Sequence, residues 1–405
     1  MTARAIDAQT GSAAPEQRSG RGPVLIYLVT EDWYFLSHRL PMARAARDAG
    51  YRIHVATRVG GGAEAIEREG FHLHPLDWRR GSLNPWHVLR IVWQVRRLYR
   101  ALGPDLVHHV ALQPSVIGSL AALGLPPVRL NAMAGLGFGF TARTLKARVL
   151  RTILSGLLRL VLNRPNAAVL VQNPDDRAAM MQIGVVAERV FLVPGSGVDT
   201  QALVPLPEPP GPVTAALVAR LLDDKGVRDF VAARRLLAGR GMDIRFLIAG
   251  DRDPANPSSI PEPEIEGWKE VPGLELLGHV GDIRQVWQRA HIAVLPSRRE
   301  GLPKSLLEAA ACGRPIVATD VPGCREIARA GHNALLVPPD DPQALADAIA
   351  TLAADTTLRR AFGQAGREWV EADYSSRRIG AQIVALYDRL LGRPGGLLRH
   401  PAGHG

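Results

Sequence analysis

Four residues have types and spacing that could do chemistry together: the carboxylates Glu300 and Glu308 and the cations Arg220 and Lys225. The carboxylates belong to LPSRREGLPKSLLEAAACGRPIVATDVPGCREI, residues 295–327. There the apolar run His291–Leu295 predicts a strand, Ser305–Ala311 a helix and Pro315–Thr319 a second strand. Glu300 then falls in the loop before the helix, and Glu308 one turn inside it. Such a loop, here Gly301, Leu302, Pro303 and Lys304, presents backbone N–H groups to phosphate at a helix start. Carboxylates on both sides of that point suit a ligand with hydroxyls flanking a phosphate, which describes a nucleotide sugar. Arg220 and Lys225 sit in ARLLDDKG, after the strand run Val213–Ala219 and before the next helix. A forked guanidinium and a compact ammonium placed there can pair with a diphosphate. The alternative is ordinary surface basicity.

The elements that must position these groups alternate along the chain. In the first half Val24–Thr30, Tyr51–Thr57, Phe71–Pro75, Asp105–Val110, Pro127–Met133, Ala167–Gln172 and Arg189–Val193 read as strands. Leu36–Ala49, the strongly basic Trp86–Leu102 and Gln113–Leu123 read as helices between them. The second half repeats the alternation with strands at Val213–Ala219, Ile244–Ala249, Leu274–Leu277 and Ala334–Val337 beside those already named. This pattern predicts an α/β fold of doubly wound parallel sheets, with ligands beyond the carboxyl ends of the strands. At 405 residues two domains are expected. We place a tail at residues 1–22, a first domain at 23–200, a proline-rich linker at 201–212 and a second domain at 213–372. A helix at 373–392 then crosses back to the first domain, and 393–405 is a second tail.

Composition narrows the class. Two cysteines, Cys312 and Cys324, are too few for a disulfide framework or structural zinc site, and they fit a reducing compartment. Residues 1–22 lack the apolar core of a signal peptide, and no long uncharged apolar run predicts a spanning helix. The net charge of +10 is confined to one half: residues 1–200 hold 24 Lys and Arg against 14 Asp and Glu, whereas the remainder holds 25 of each. An anionic membrane face is one reading of that excess and a merely basic surface the other. Nucleic acid is excluded, since no aromatic residues interleave with the arginines in a recognition pattern.

Candidates for the acceptor side lie at the strand ends of the first half. The bulky acidic loop Thr30–Phe35 replaces the glycine fingerprint of a dinucleotide fold, and its Glu31 and Asp32 could hold acceptor hydroxyls or simply be solvated. His38 is expected to cap or pack in the helix. His108 and His109 follow a strand, where one of the pair points inward. We prefer His109 as a proton acceptor or hydroxyl contact, the alternative being a strand cap. The glycine-rich NAMAGLGFGF, residues 131–140, can approach a ligand closely. Residues 142–163 follow as a basic amphipathic helix, with Leu145, Val149, Ile153, Leu157 and Leu160 on one face and Arg143, Lys146, Arg148, Arg151 and Arg159 around it. That helix either packs on the sheet or lies on a bilayer surface.

The run Glu300-Gly301-Leu302-Pro303-Lys304-Ser305-Leu306-Leu307-Glu308 resembles the E-x7-E signature of family 4 of the retaining glycosyltransferases. Gly313-x-Pro315-Ile316-Val317-Ala318-Thr319, Val218-Ala219-Arg220-Leu221 with Lys225-Gly226, Gly195-x-Gly197-Val198-Asp199 and Asn173-Pro174 match it as well. The first half resembles bacterial members that build glycans on polyprenyl-diphosphate carriers. The resemblance implies two facing Rossmann-like domains, the GT-B architecture, with a deep cleft between them. It implies a nucleotide-sugar donor, with UDP the preferred nucleotide, no bound metal, and a polyprenyl-diphosphate-linked saccharide as acceptor. Glu300 would then contact the transferred sugar and Glu308 the ribose. Arg220 and Lys225 would neutralise the diphosphate, and the backbone of Gly301, Leu302, Pro303 and Lys304 would hold sugar and phosphate. The expected enzyme is a retaining hexosyl- or N-acetylhexosaminyltransferase, peripheral on the cytoplasmic face of the cell membrane. A UDP-sugar 2-epimerase on the same frame and a non-catalytic membrane-peripheral module are the alternatives.

Overall fold

The computed structural model describes residues 22–79, 84–133 and 145–393. The expected tails lie outside these residues except for Gly22 and Arg393. So does the glycine-rich loop beyond Met133.

Seven strands form the first sheet: β1 (Val24–Glu31), β2 (Arg52–Arg58), β3 (His72–Pro75), β4 (Leu106–Val110), β5 (Val128–Ala132), β6 (Ala167–Val171) and β7 (Val190–Leu192). They are all parallel, in the order β3-β2-β1-β4-β5-β6-β7. Between them run α1 (Asp32–His38), α2 (Leu40–Asp48), α3 (Ala63–Arg68), α4 (Pro85–Leu102), α5 (Leu112–Ala121), α6 (Leu145–Leu162) and α7 (Pro174–Ile183). The second sheet holds β8 (Thr214–Val218), β9 (Arg245–Ala249), β10 (Leu274–Gly278), β11 (Ile292–Leu295), β12 (Ile316–Thr319) and β13 (Ala334–Val337), again parallel, as β10-β9-β8-β11-β12-β13. Its helices are α8 (Val227–Gly239), α9 (Glu262–Trp268), α10 (Arg284–Arg289), α11 (Lys304–Ala311), α12 (Cys324–Ile327), α13 (Pro342–Ala354) and α14 (Thr356–Asp373), after which α15 (Ser376–Leu390) returns to the first sheet.

Both sheets are buried on both faces, as all-parallel sheets must be. Along β1, Leu25, Tyr27 and Val29 enter one core cluster, while Val24, Ile26 and Leu28 enter another on the opposite face. Each sheet reverses its winding once, between β1 and β4 and between β8 and β11. The crevices outside those two strand pairs are where such folds take ligands.

Two departures from the sequence-based expectation matter for the cleft. Residues 32–38 form the helix α1 instead of a loop, and α2 restarts after Arg39. Pro41 explains the break, because it cannot donate to the preceding turn and crowds it. The proline-rich segment 201–212 is not a free tether either. Leu206 N–H donates to the Cys312 carbonyl at 3.1 Å, Arg314 donates to the Pro207 carbonyl at 2.8 Å, and Arg359 pairs with Glu208. Prolines leave carbonyls without N–H groups of their own to match, and arginines of the second half satisfy them.

The chain passes between the sheets a second time before α15, whose Ile379, Ile383, Leu386 and Tyr387 pack into the core of the first sheet. The two crossings touch: Val198 N–H donates to the Tyr374 carbonyl at 2.9 Å and Ser376 N–H to the Val198 carbonyl at 2.8 Å. Among the described residues no helix is long and apolar enough to cross a membrane.

Candidate active site

The carboxyl ends of both sheets face a cleft of about 440 Å³. One wall comes from Thr30, Glu31, Trp33, Tyr34 and His38, and from residues 110–114 at the end of β4 and the start of α5. The other comes from Arg220, Lys225, Glu300, Gly301, Leu302, Lys304 and Leu307.

The β8–α8 turn carries two of the cations. Gly226 closes it at φ 65°, and a Cβ there would stand 1.9 Å from the Pro296 carbonyl oxygen, so the turn can seat against the end of β11 only with glycine. That contact brings Lys225 beside the loop after β11. Its Nζ donates to Glu300 Oε1 at 2.6 Å, and Ser297 Oγ donates to the same oxygen at 2.7 Å. The side chain of Thr319 donates in turn to the Ser297 carbonyl. Glu300 is thereby fixed from three elements and only 8% exposed. Arg220 pairs with Asp253 and reaches across the cleft, its guanidinium 5.9 Å from the centre of the Trp33 ring.

The loop 300–304 is clamped on both sides. Behind it Gly323 (φ 81°) lies so close that a Cβ would meet the Glu300 and Gly301 carbonyl oxygens within 2.6 Å. From the opposite domain Asn173 caps α7 by accepting from Asp176 N–H at 2.7 Å, and its Nδ2 donates to the Gly301 carbonyl at 2.7 Å. The pairing Asn173-Pro174 seen in the sequence thus joins the two halves at the mouth of the site. Within α11, Lys304 Nζ lies 3.1 Å from Glu308, one turn on. Burial pushes the Glu308 carboxyl above its usual range, and Lys304 opposes the shift. Glu308 and the buried Pro303 do not line the cleft.

On the first-domain side several expectations need correction. Asp32 is not available to an acceptor: its Oδ2 accepts from the N–H groups of Gly60, Gly61 and Gly62 at 2.7, 3.1 and 2.7 Å. Burial works against its charge, but these amides hold the carboxyl below its usual range. Asp32 therefore organises a turn, while Glu31 stays at the cleft with Arg58 at 3.7 Å.

His109, expected as the catalytic histidine, is remote from the cleft. It is wholly buried against Gly118, with Nε2 3.0 Å from the Tyr99 hydroxyl and Nδ1 2.8 Å from Asn131 Oδ1. The period-two rule points His108 to the other face, where Nδ1 lies 2.7 Å from the Tyr387 hydroxyl of α15. Neither lines the cleft.

The histidine that does line it is His38. Its ring stacks on Tyr34 with centroids 4.3 Å apart, and its Nδ1 is buried without a hydrogen-bond partner among the described residues. Burial, aided by the nearby charges of Arg39, Lys304, Lys225 and Arg220, lowers its pKa to about 3, so the ring is neutral. The sequence signal was the helical spacing from Tyr34 to His38, which puts both rings on one face.

Ala111, at the end of β4, also lines the cleft and holds φ 75° and ψ 172°, a region that only glycine occupies without cost. No residue pattern announces such a position. A second cavity, about 370 Å³ between the 209–214 segment and Gly273–Glu275, opens at the amino ends of the strands, away from this chemistry. Among the described residues no cluster of three His, Cys, Asp or Glu could hold a metal ion.

The arrangement is a crevice with Arg220, Lys225 and Lys304 on one side and a neutral imidazole on the other. It can hold a polyanion while carboxylates face its hydroxyls.

Comparison with known proteins follows the same division. Residues 212–355 match the family described as Glycosyl transferases group 1, and residues 25–172 match that described as Glycosyl transferase 4-like. The N,N'-diacetylbacillosaminyl-diphospho-undecaprenol alpha-1,3-N-acetylgalactosaminyltransferase of Campylobacter jejuni is 26% identical over 381 residues, covering 88% of this chain and 98% of that protein. Sucrose-phosphate synthase from Thermosynechococcus elongatus superposes with a TM-score of 0.76 at 21% identity, over 91% of this chain and 99% of its own. HepE of Anabaena, solved in complex with UDP-glucose, gives 0.74 at 18% identity, over 91% of this chain and all of its own (100%). With both halves matched and the two-sheet GT-B fold shared, the chain is built of a Glycosyl transferase 4-like domain and a Glycosyl transferases group 1 domain, and its relatives are bacterial glycosyltransferases.

Proposed function

We propose that the protein is a retaining glycosyltransferase that moves a hexosyl or N-acetylhexosaminyl group from a UDP-sugar to a polyprenyl-diphosphate-linked saccharide in polysaccharide or glycan assembly. The observation that carries this reading is the convergence of Arg220, Lys225 and the Glu300 loop on one crevice between the carboxyl ends of two sheets. The C. jejuni relative, named for a diphospho-undecaprenol substrate, supports the acceptor class, and the UDP-glucose complex of HepE supports the donor class.

In this scheme the donor diphosphate lies against Arg220 and Lys225, and Lys225 exchanges its bond to Glu300 for a phosphate oxygen. Glu300 is then released to accept from sugar hydroxyls. Glu308, paired with Lys304 and outside the cleft lining, accepts from the ribose once Lys304 turns toward the donor. The acceptor oxygen attacks the anomeric carbon from the face that the diphosphate leaves, so configuration is retained. As the bond from that carbon to the phosphate oxygen breaks, the acceptor proton passes to the departing diphosphate. The cations stabilise the charge that grows there. No covalent sugar–enzyme bond is required. The residues needed are metal-independent, and the site is expected to work at the cytoplasmic membrane surface, where such acceptors are anchored.

The test is incubation with UDP-sugars, with and without a polyprenyl-diphosphate-linked saccharide. UDP release that depends on acceptor supports the proposal. Sugar conversion without acceptor would make the protein an epimerase, and no turnover with any pair would leave a non-catalytic module.

A further inference from the structure

Helix α4 leaves an apolar stripe facing solvent. Trp86, Leu89 and Trp93 are 80%, 59% and 60% exposed, and their spacing of three and four places them on one side of the helix. The opposite side, Ile91, Val95 and Tyr99, is buried on the first sheet. Arg90, Arg97 and Arg100 run along the exposed side, with the Arg97 guanidinium 5.7 Å from the centre of the Trp93 ring. The helix contains no Asp or Glu, and the acid that faces it, Asp77, accepts from Arg90 and Gln94. Helices of a parallel α/β layer start at the carboxyl edge of the sheet, so Trp86 sits at the cleft edge and Arg100 at the far one. Helices α5 and α6 continue the same layer, and Leu123 and Leu160 beside it are exposed as well.

We infer that this face docks on an anionic lipid surface, with Trp86, Leu89 and Trp93 entering the headgroup boundary and Arg97 and Arg100 meeting lipid phosphates. Charge complementarity selects this occupant. A bilayer of anionic lipid satisfies rings and guanidinium groups together. A second copy packed about a two-fold axis would set arginine against arginine. Docking brings the cleft edge of the first sheet to the level at which a polyprenyl diphosphate is anchored. The inference therefore deepens the proposed function and rests on it for its purpose, although lipid binding itself needs no turnover.

The experiment is sedimentation of the full chain with vesicles of phosphatidylcholine alone or mixed with phosphatidylglycerol. Wild type is compared with Trp86→Ser/Trp93→Ser and Arg97→Gln/Arg100→Gln. Wild type is expected to bind the anionic vesicles about tenfold or more tightly than the neutral ones, and each double variant to lose about tenfold or more. Thermal midpoints, and transfer to a water-soluble short-chain acceptor, should be unchanged in the variants. Equal binding by wild type and both variants overturns the inference. So does lipid-free self-association of wild type that the tryptophan variant abolishes. If wild type transfers to no lipid-linked acceptor yet binds vesicles through these residues, the docking stands and the acceptor assignment falls.

Discussion

Glu300 and Lys225 hold one another at 2.6 Å in the cleft wall, so a diphosphate must compete for the ammonium before the carboxylate can turn to a sugar. The exchange leaves the ammonium paired with phosphate and the carboxylate hydrogen-bonded by Ser297 and sugar hydroxyls, so neither buried ion is left without a partner. Glu308 provides a pH signature of its own. Burial raises its pKa, and a ribose contact needs the ionised form. Donor affinity should therefore fall as pH drops, starting above the range of an exposed carboxylate, and Glu308→Gln should bind weakly with no such limb. Isothermal titration with UDP across pH 4 to 8 reads both effects. His38 carries a buried ring nitrogen with no partner among the described residues. If substrate supplies that partner, His38→Ala should lower kcat/KM by about 10- to 100-fold, the loss expected for one buried hydrogen bond to a charged group, roughly 1.4–2.7 kcal/mol. A variant with unchanged kinetics and unchanged melting would remove His38 from the site.

At the scale of elements, the site depends on turns that bring backbone close to backbone. The strained Ala111 after β4 is one such turn. Ala111→Gly should relieve the strain, offset in part by extra freedom in the unfolded chain, and raise stability by about 1 kcal/mol. Thermal denaturation of the variant checks this, and a lowered midpoint would contradict it. Much of this level was legible in the residues. Strand and helix alternate with clear apolar periods, and the β11–α11 stretch reads directly as strand, loop and helix. What escaped was whatever tertiary contact decides. Nothing local to Asp32 reveals that three glycine amides nearly thirty residues away will occupy its carboxylate. Nor does the dipeptide His108-His109 reveal that helices on both faces of the sheet leave neither ring facing the cleft. The apolar side of α6 was also misjudged where side chains are described. Leu158, Val161 and Leu162 face the core, whereas Leu160 is exposed. The side chains of Lys146, Arg148 and Arg151, like Arg143 itself, lie outside the described residues.

Among the described residues the two sheets are coupled by the paired crossings at Val198 and Ser376, the return of α15, and Asn173 on the Gly301 carbonyl, among other contacts. The first domain also stores neutral histidines. Burial holds the pKa of His54 and His109 to about 4, that of His38 to about 3, and that of His108 well below its ordinary value of 6.5. Because the unfolded chain binds these protons first, stability is fully present above about pH 6.5 and is lost as pH falls toward 4. Urea titrations at pH 7.5 and pH 5 should show the decline, and equal midpoints would contradict it. The central claim, that cations at the ends of the second sheet bear the charge of a departing diphosphate, is tested most directly by the kcat/KM of Arg220→Ala with UDP-sugar and lipid-linked acceptor. The account predicts a loss of about 100- to 1,000-fold, the equivalent of roughly 2.7–4 kcal/mol in the transition state, with the fold intact. Wild-type kcat/KM in that variant would contradict it.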